Sequence, residues 1–304
     1  MEFEIIIDST FLELGMATSL NPAHNKQLLS IINDFEDGHW RSEKFNNFVW
    51  DNIAETALSY KEREALQSQP SSLLRSAAKN LRLTDSDNDI GKGSELAEIV
   101  LYGIMKQKYS ALSIVPKIFY KQNTQDNAKG ADSVHIVIET NEEFSLWFGE
   151  AKFFNSIEDT RLDNIIQSVK NSLTTDKLRK ENSIITNISD IDSLEINESL
   201  KEKIKASLSN KISIDSLKSR INIPILLLHE CKLTAAATES TEEYIENVKA
   251  YHKDRSVSYF SKQVNSLREP HKYEEIRFHL ILFPVPQKRP IIDTFVSNVN
   301  FYRS

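Results

Sequence analysis

The sequence predicts an α/β or α+β fold, a mixed central sheet flanked by helices, with a helical elaboration ahead of it. Three observations carry that expectation. Strand-like runs cluster mid-chain, at ALSIVPKIFYK, ADSVHIVIET and EEFSLWFGEAKFF. A later run, NIPILLLHECK, is apolar almost throughout, as a strand buried on both faces would be. Segments of helical periodicity flank these runs, which is the pattern of helices layered on a sheet.

The elements follow in order. Residues 1–8 read as a short strand, because Phe3, Ile5 and Ile7 alternate with polar positions. From about 24 to 82 the pattern reads as helical. Leu28, Leu29, Ile31, Ile32 and Phe35 fall on one face, and Phe45, Phe48, Val49, Ala54 and Leu58 continue in the same style. Pro70, Ser71 and Ser72 open a further helix through Leu81. The polar stretch LTDSDNDIGKG then breaks the pattern. It divides a helical N-terminal region, 1–90, a candidate partner-binding surface, from a second region at 91–304. After the break, SELAEIVLYGIMKQKY is an amphipathic helix with Ser94 as its N-cap. The three mid-chain strands come next, the second and third joined as a hairpin through Thr140-Asn141-Glu142. A helix at about 157–173 follows, then a polar helical insert at about 176–220. The NIPILLLHECK strand, a long helix near 240–267 and the strand IRFHLILFPVP come after it. Pro284 and Pro286 should stop that last strand, and Pro290 should start the final helix.

Bulk properties narrow the function classes. Hydrophobic residues make up 40% and charged residues 27% of 304, which are values of a folded protein with a sizeable core. The single cysteine, Cys231, excludes an intrachain disulfide and a cysteine-based zinc site, and fits a reducing cytoplasm. The first ten residues lack the basic and apolar regions of a signal peptide, and no apolar run approaches the roughly 20 residues of a membrane span. A net charge of −7 argues against a surface devoted to nucleic acid, though not against a local basic groove. Residues 201–220 hold six basic and two acidic residues, and read first as a solvated helix pair.

One constellation carries chemistry. Glu150 and Lys152 lie two apart on a strand, so they project to the same face. Asp132 begins the neighbouring strand, after Gly130 and Ala131, and a hairpin pairing would set it beside Glu150. Two carboxylates at one spot repel unless a cation lies between them. Mg²⁺ or Mn²⁺ suits them, as hard ions that take oxygen ligands and keep waters for a substrate. A lysine alongside can orient or deprotonate a water attacking a phosphodiester. A glutamate from the preceding helix could complete the metal shell, and Glu98 and Glu95 both qualify. Gln167, on the following helix, could touch the metal shell or a nucleic-acid backbone. A second pair, Glu230 and Lys232, has the same spacing but follows only a helical segment. His135 and His279 lie in strands and read as core or edge residues, and Cys231 reads as buried and unreactive.

The phrases GKGSELAEIVLYGIM, PKIFYKQN, KGADSVHIV and LWFGEAKFF, in that order, resemble the HamA C-terminal-domain family, as do IPILLLHE and FHLILFPVP. The resemblance runs over about 90–304 and leaves residues 1–90 aside. HamA-like proteins are the nuclease component of Hachiman anti-phage defence, and their usual neighbour is a superfamily 2 helicase, HamB. The resemblance therefore implies a PD-(D/E)xK fold, metal-dependent degradation of DNA, and a helicase partner. It carries Asp132, Glu150 and Lys152 over directly and leaves Glu98 and Glu95 open. Asp132, Glu150 and Glu98 would then be the metal ligands. Two alternatives stand beside this reading: a non-catalytic DNA- or partner-binding module of nuclease-like fold, and an RNase of the same fold.

Overall fold

Two strands open the chain, β1 (Glu4–Thr10) and β2 (Lys26–Ile32), followed by a small ribbon of β3 (Phe35–Glu36) and β4 (His39–Trp40). The computed structural model describes residues 2–16, 20–83, 93–120, 131–140, 143–187, 191–192, 194, 196–209, 211–267 and 271–304. Four helices come next: α1 (Ser42–Ala57), α2 (Tyr60–Ala65), α3 (Pro70–Asn80) and α4 (Ser94–Tyr109). Strand β5 (Leu112–Val115), the single turn α5 (Lys117–Tyr120), and strands β6 (Ser133–Ile138) and β7 (Phe144–Phe154) follow. Helices α6 (Asp159–Ser172), α7 (Thr175–Asn187), α8 (Glu198–Ser207) and α9 (Ile214–Leu217) lead to β8 (Ile221–Glu230). The chain ends with α10 (Lys232–Ala236), α11 (Glu242–Leu267), β9 (Arg277–Val285) and α12 (Lys288–Arg303).

Seven strands form one mixed sheet in the order β1-β2-β9-β8-β7-β6-β5. Strands β2, β9, β8 and β7 run parallel to one another, while β1, β6 and β5 pair antiparallel. Side chains alternate between two core layers, as the two-residue strand period requires. Leu28, Ile225, Leu227, Leu280 and Leu282 pack on one face, with Leu162 and Ile165 of α6 and Tyr259 and Phe260 of α11. Leu29, Leu226, Leu228, Ile281 and Phe283 pack on the other, with residues of α1, α3, α4 and α12. Among the described residues, no helix is long and apolar enough to cross a membrane.

Four local expectations change. Residues 26–32 are strand β2, not the first helix of the N-terminal region, and the helical reading holds from Ser42 onward. Leu28 enters one core layer while Leu29 and Ile31 enter the other. That is two-sided burial in a strand, which a short apolar run does not distinguish from a helix face by periodicity alone. The run ALSIVPKIFYK splits at Pro116 into β5 and α5, because proline has no N–H to continue the ladder. Pro284 does not stop β9, which reaches Val285. Pairing with β2 extends only to Leu282, so the missing N–H leaves no gap on that side. Ser94 is the first residue of α4, and Gly93, in a left-handed conformation, takes the cap position. The break expected at 83–93 lies mostly outside the described residues, as do Gly130, Asn141 and Glu142.

Candidate functional site

The hairpin of β6 and β7 brings the acidic residues together. Its register runs from Ile138 opposite Phe144 to Ser133 opposite Gly149. One step further, the Asp132 N–H donates to the Gly149 carbonyl at 2.7 Å. The Asp132 carboxylate then accepts from the Ala151 N–H at 3.1 Å and from the Lys152 ammonium at 3.2 Å. Phe148 and Phe154 belong to the core layer of α6, whereas Trp147, Ala151 and Phe153 belong to the opposite layer. Glu150 and Lys152 therefore project toward α6. There the Ser168 hydroxyl donates to the buried Glu150 carboxylate at 2.6 Å.

Gly149 lets α4 approach this hairpin. A Cβ at that position would stand 2.2 Å from Ser133 Oγ and 2.7 Å from Leu101 Cδ2 of α4. The close approach sets Glu98 of α4 at the hairpin. It is buried and lines a small cavity with Asp132, Ser133, Tyr102 and Lys117. Glu95, one turn earlier, points elsewhere. Its carboxylate accepts from the backbone N–H groups of Arg82 at 2.8 Å and Leu83 at 2.9 Å. Of the two glutamates, Glu98 lies with Asp132 and Glu95 ties down residues 82–83.

Lys152 records the field of the cluster. Burial works against its positive charge, yet Asp132, then Glu150, then Glu98 together hold the ammonium above the ordinary lysine range. Three carboxylates thus act on one lysine in a partly buried place.

Gln167 does not join. It is exposed, and its amide donates to Asn171 at 2.9 Å. Its neighbour Ser168 makes the contact instead. The available signal was helical spacing, since Ser168 stands three residues after the buried Ile165 and one before the buried Val169. Two further residues escaped the sequence reading, Lys117 and Glu181. Both are buried and form an ion pair at 2.6 Å, and the second Glu181 oxygen accepts from the Ala131 N–H at 3.0 Å. The available signal was again helical spacing, since Glu181 stands three residues after the buried Leu178 and four before the buried Ile185.

The rival signals resolve into structural roles. Glu230 ends β8 and accepts from the Lys288 N–H at 2.7 Å, at the start of α12. Lys232 is exposed in α10, so the two do not share a strand face. Five of the six basic residues in 201–220 are ion-paired: Lys201 with Glu198, Lys203 and Arg220 with Glu143, Lys205 with Asp192, and Lys218 with Asp215. His135, His279 and Cys231 are buried, as expected.

Among the described residues, no group of three or more His, Cys, Asp and Glu side chains is drawn tightly enough to hold a metal ion. The donor set nevertheless fits a magnesium-type ion. Such an ion takes oxygen ligands, needs only one or two carboxylates and retains several waters. Asp132 and Glu150 supply hard oxygen donors that both act on Lys152, and Glu98 lines a cavity with Asp132.

Fold and cluster together define a mixed α/β protein with an acidic, lysine-containing site built on a sheet hairpin. A family model described as HamA matches residues 6–299, and the chain belongs to the HamA family. The matched span takes in most of residues 1–90, which the resemblance at 90–304 had left aside. Membership implies a role in anti-phage defence, in the Hachiman system. No curated protein matches the chain.

Proposed function

We propose that this chain is a metal-dependent PD-(D/E)xK deoxyribonuclease of anti-phage defence, active in the cytoplasm and restrained by a partner helicase of superfamily 2. The observation that carries the reading is the convergence of Asp132 and Lys152 at 3.2 Å, on a hairpin that also bears Glu150. Asp132, Glu150 and Glu98 would hold Mg²⁺ or Mn²⁺. Such an ion, when bound, supplies positive charge to a phosphodiester and lowers the pKa of a water. The chain's own residues do the positioning. Ser168 fixes one Glu150 oxygen, the Ala151 N–H fixes one Asp132 oxygen, and Lys152 presents donor protons that orient water or a phosphate oxygen. Restraint by a partner follows from the hazard of a free nuclease to its own cell, and residues 1–90 are the candidate surface for it. Plasmid DNA with Mg²⁺ or Mn²⁺ tests the reading. Wild type should cleave and Glu150→Ala/Lys152→Ala should not. Equal cleavage by both removes the site assignment.

A second reading, a non-catalytic DNA- or partner-binding module, draws on one observation: the Asp132 carboxylate is already held by Lys152 and Ala151. Calorimetric titration with Mn²⁺ separates the two. Binding that is lost in Glu150→Ala favours the nuclease, and no binding with partner and DNA present favours the module.

A further inference from the structure

The buried ion pair of Lys117 and Glu181 joins three separate pieces of chain. Lys117 opens α5, just beyond the edge strand β5. Glu181 lies in α7, within the helical insert between β7 and β8. Ala131 immediately precedes Asp132, at the mouth of β6. One Glu181 oxygen takes the Lys117 ammonium at 2.6 Å, and the other takes the Ala131 N–H at 3.0 Å. Lys117 also lines the cavity shared by Glu98 and Asp132.

Such a pair is an expensive way to gain stability. Two buried charges lose their hydration, and apolar residues of similar volume often serve a fold as well or better. What the carboxylate adds is direction, because it fixes two donors at once. Asp132 stands outside the last registered pair of β6, Ser133 with Gly149. Its backbone is held on one side by the 2.7 Å bond to the Gly149 carbonyl. The Glu181 bond to Ala131 is the matching hold on the residue before it.

We propose that Glu181 is a positioning residue of the nuclease site, through which the inserted helix α7 sets the placement of Asp132, with Lys117 neutralising the buried Glu181 carboxylate. The inference rests on the nuclease reading for its consequence, but the hold on Ala131 is testable without it. The insert is then part of the working site: a partner that moves α7 moves Asp132 with it.

Two double variants of the full chain test this. Lys117→Met/Glu181→Leu removes both charges and the acceptor for Ala131. Lys117→Met/Glu181→Gln removes both charges but keeps an amide oxygen for the Ala131 N–H. Both avoid an uncompensated buried charge, so both should fold, as melting temperature will show. Hydrogen exchange measured on the peptide that covers residues 131–138 should be faster in the Leu variant and near wild type in the Gln variant. Plasmid cleavage should fall about 10- to 100-fold in kcat for the Leu variant, with little change in KM, since small displacements of a reacting group cost rates of that order. The Gln variant should recover cleavage to within a few-fold of wild type. Unchanged exchange in the folded Leu variant overturns the hold on Ala131. Faster exchange with wild-type cleavage overturns the positioning role. If wild type itself neither cleaves nor binds Mn²⁺, the nuclease reading fails and the positioning role falls with it, while the exchange result still decides the hold on Ala131.

Discussion

Two stretches of this chain carry the same three-residue pattern, Glu150-Ala151-Lys152 and Glu230-Cys231-Lys232, on neighbouring parallel strands. Their surroundings differ. The first sits within β7, so its Glu and Lys share a face and meet Asp132 from the paired β6. The second straddles the end of β8. Glu230 turns to the N-terminus of α12, and Lys232 starts a short helix and faces solvent. A Glu-x-Lys pattern is therefore not itself a site. It gathers an acidic cluster when the strand continues through it and an adjacent strand delivers another carboxylate.

The largest effect should come from Glu150→Ala, which removes a carboxylate from the cluster and should lower cleavage of plasmid DNA by about 10³-fold, the scale of losing a group that stabilises the transition state. Glu230→Ala should leave the rate unchanged, and a loss comparable to that of Glu150→Ala would make the two motifs equivalent.

Acid should act on both sides of the molecule, since burial pushes His135 of β6 down to about 3 as well, and the second region shows the proton chain involved. His229, beside Glu230, and His252 of α11 are fully buried. The His229 Nδ1 faces the Glu230 carbonyl at 3.1 Å, so that nitrogen carries the proton. Its Nε2 then accepts from His252 Nε2 at 3.1 Å, and His252 Nδ1 accepts from the Ser30 hydroxyl at 2.6 Å. The chain is satisfied only when both rings are neutral. Burial pushes His229 down to about 4 from 6.5 and holds His252 well below its ordinary value. The unfolded chain binds protons in that window and the folded chain does not, so stability falls as pH drops from 6.5 toward 4. For His229 alone the loss is about 3 kcal/mol. Urea unfolding at pH 7 and pH 4.5 checks it, and equal midpoints would contradict it.

Gly149→Ala should cost about 1–3 kcal/mol, because the added methyl overpacks the contact with Ser133 and Leu101. It should also weaken Mn²⁺ binding by shifting Glu98. Ser168→Ala removes the 2.6 Å bond to Glu150 and should slow cleavage about ten-fold, the equivalent of about 1.4 kcal/mol. A wild-type rate would show that Glu150 needs no outside hold. The smallest effect belongs to Glu230→Ala on stability. Loss of the contact to the first N–H of α12 should lower unfolding free energy by about 1 kcal/mol, read as a small fall in melting temperature.

The sheet was legible where pattern and length agreed. The long apolar run of β8 and the hairpin of β6 and β7 declared themselves, and with the hairpin came Asp132, Glu150 and Lys152. Strand β2 did not, because Leu28, Leu29, Ile31 and Ile32 fit a helix stripe as well as a two-sided strand. Glu98 could not be separated from Glu95 by spacing, since both occupy the first turns of one helix. What separates them is the approach of α4 over Gly149, a tertiary event. The role of Glu181 was illegible for a related reason. Leu178 and Ile185 put Glu181 on the inward face of α7, but its partners Lys117 and Ala131 are brought to it only by the tertiary fold.

The most direct measurement sets the two motifs side by side: Mg²⁺- or Mn²⁺-dependent cleavage of plasmid DNA by wild type, Glu150→Ala/Lys152→Ala and Glu230→Ala/Lys232→Ala, at matched concentration and with folding checked by melting temperature. Wild type and the second variant should cleave, and the first should not. Cleavage by the first variant at the wild-type rate would contradict this.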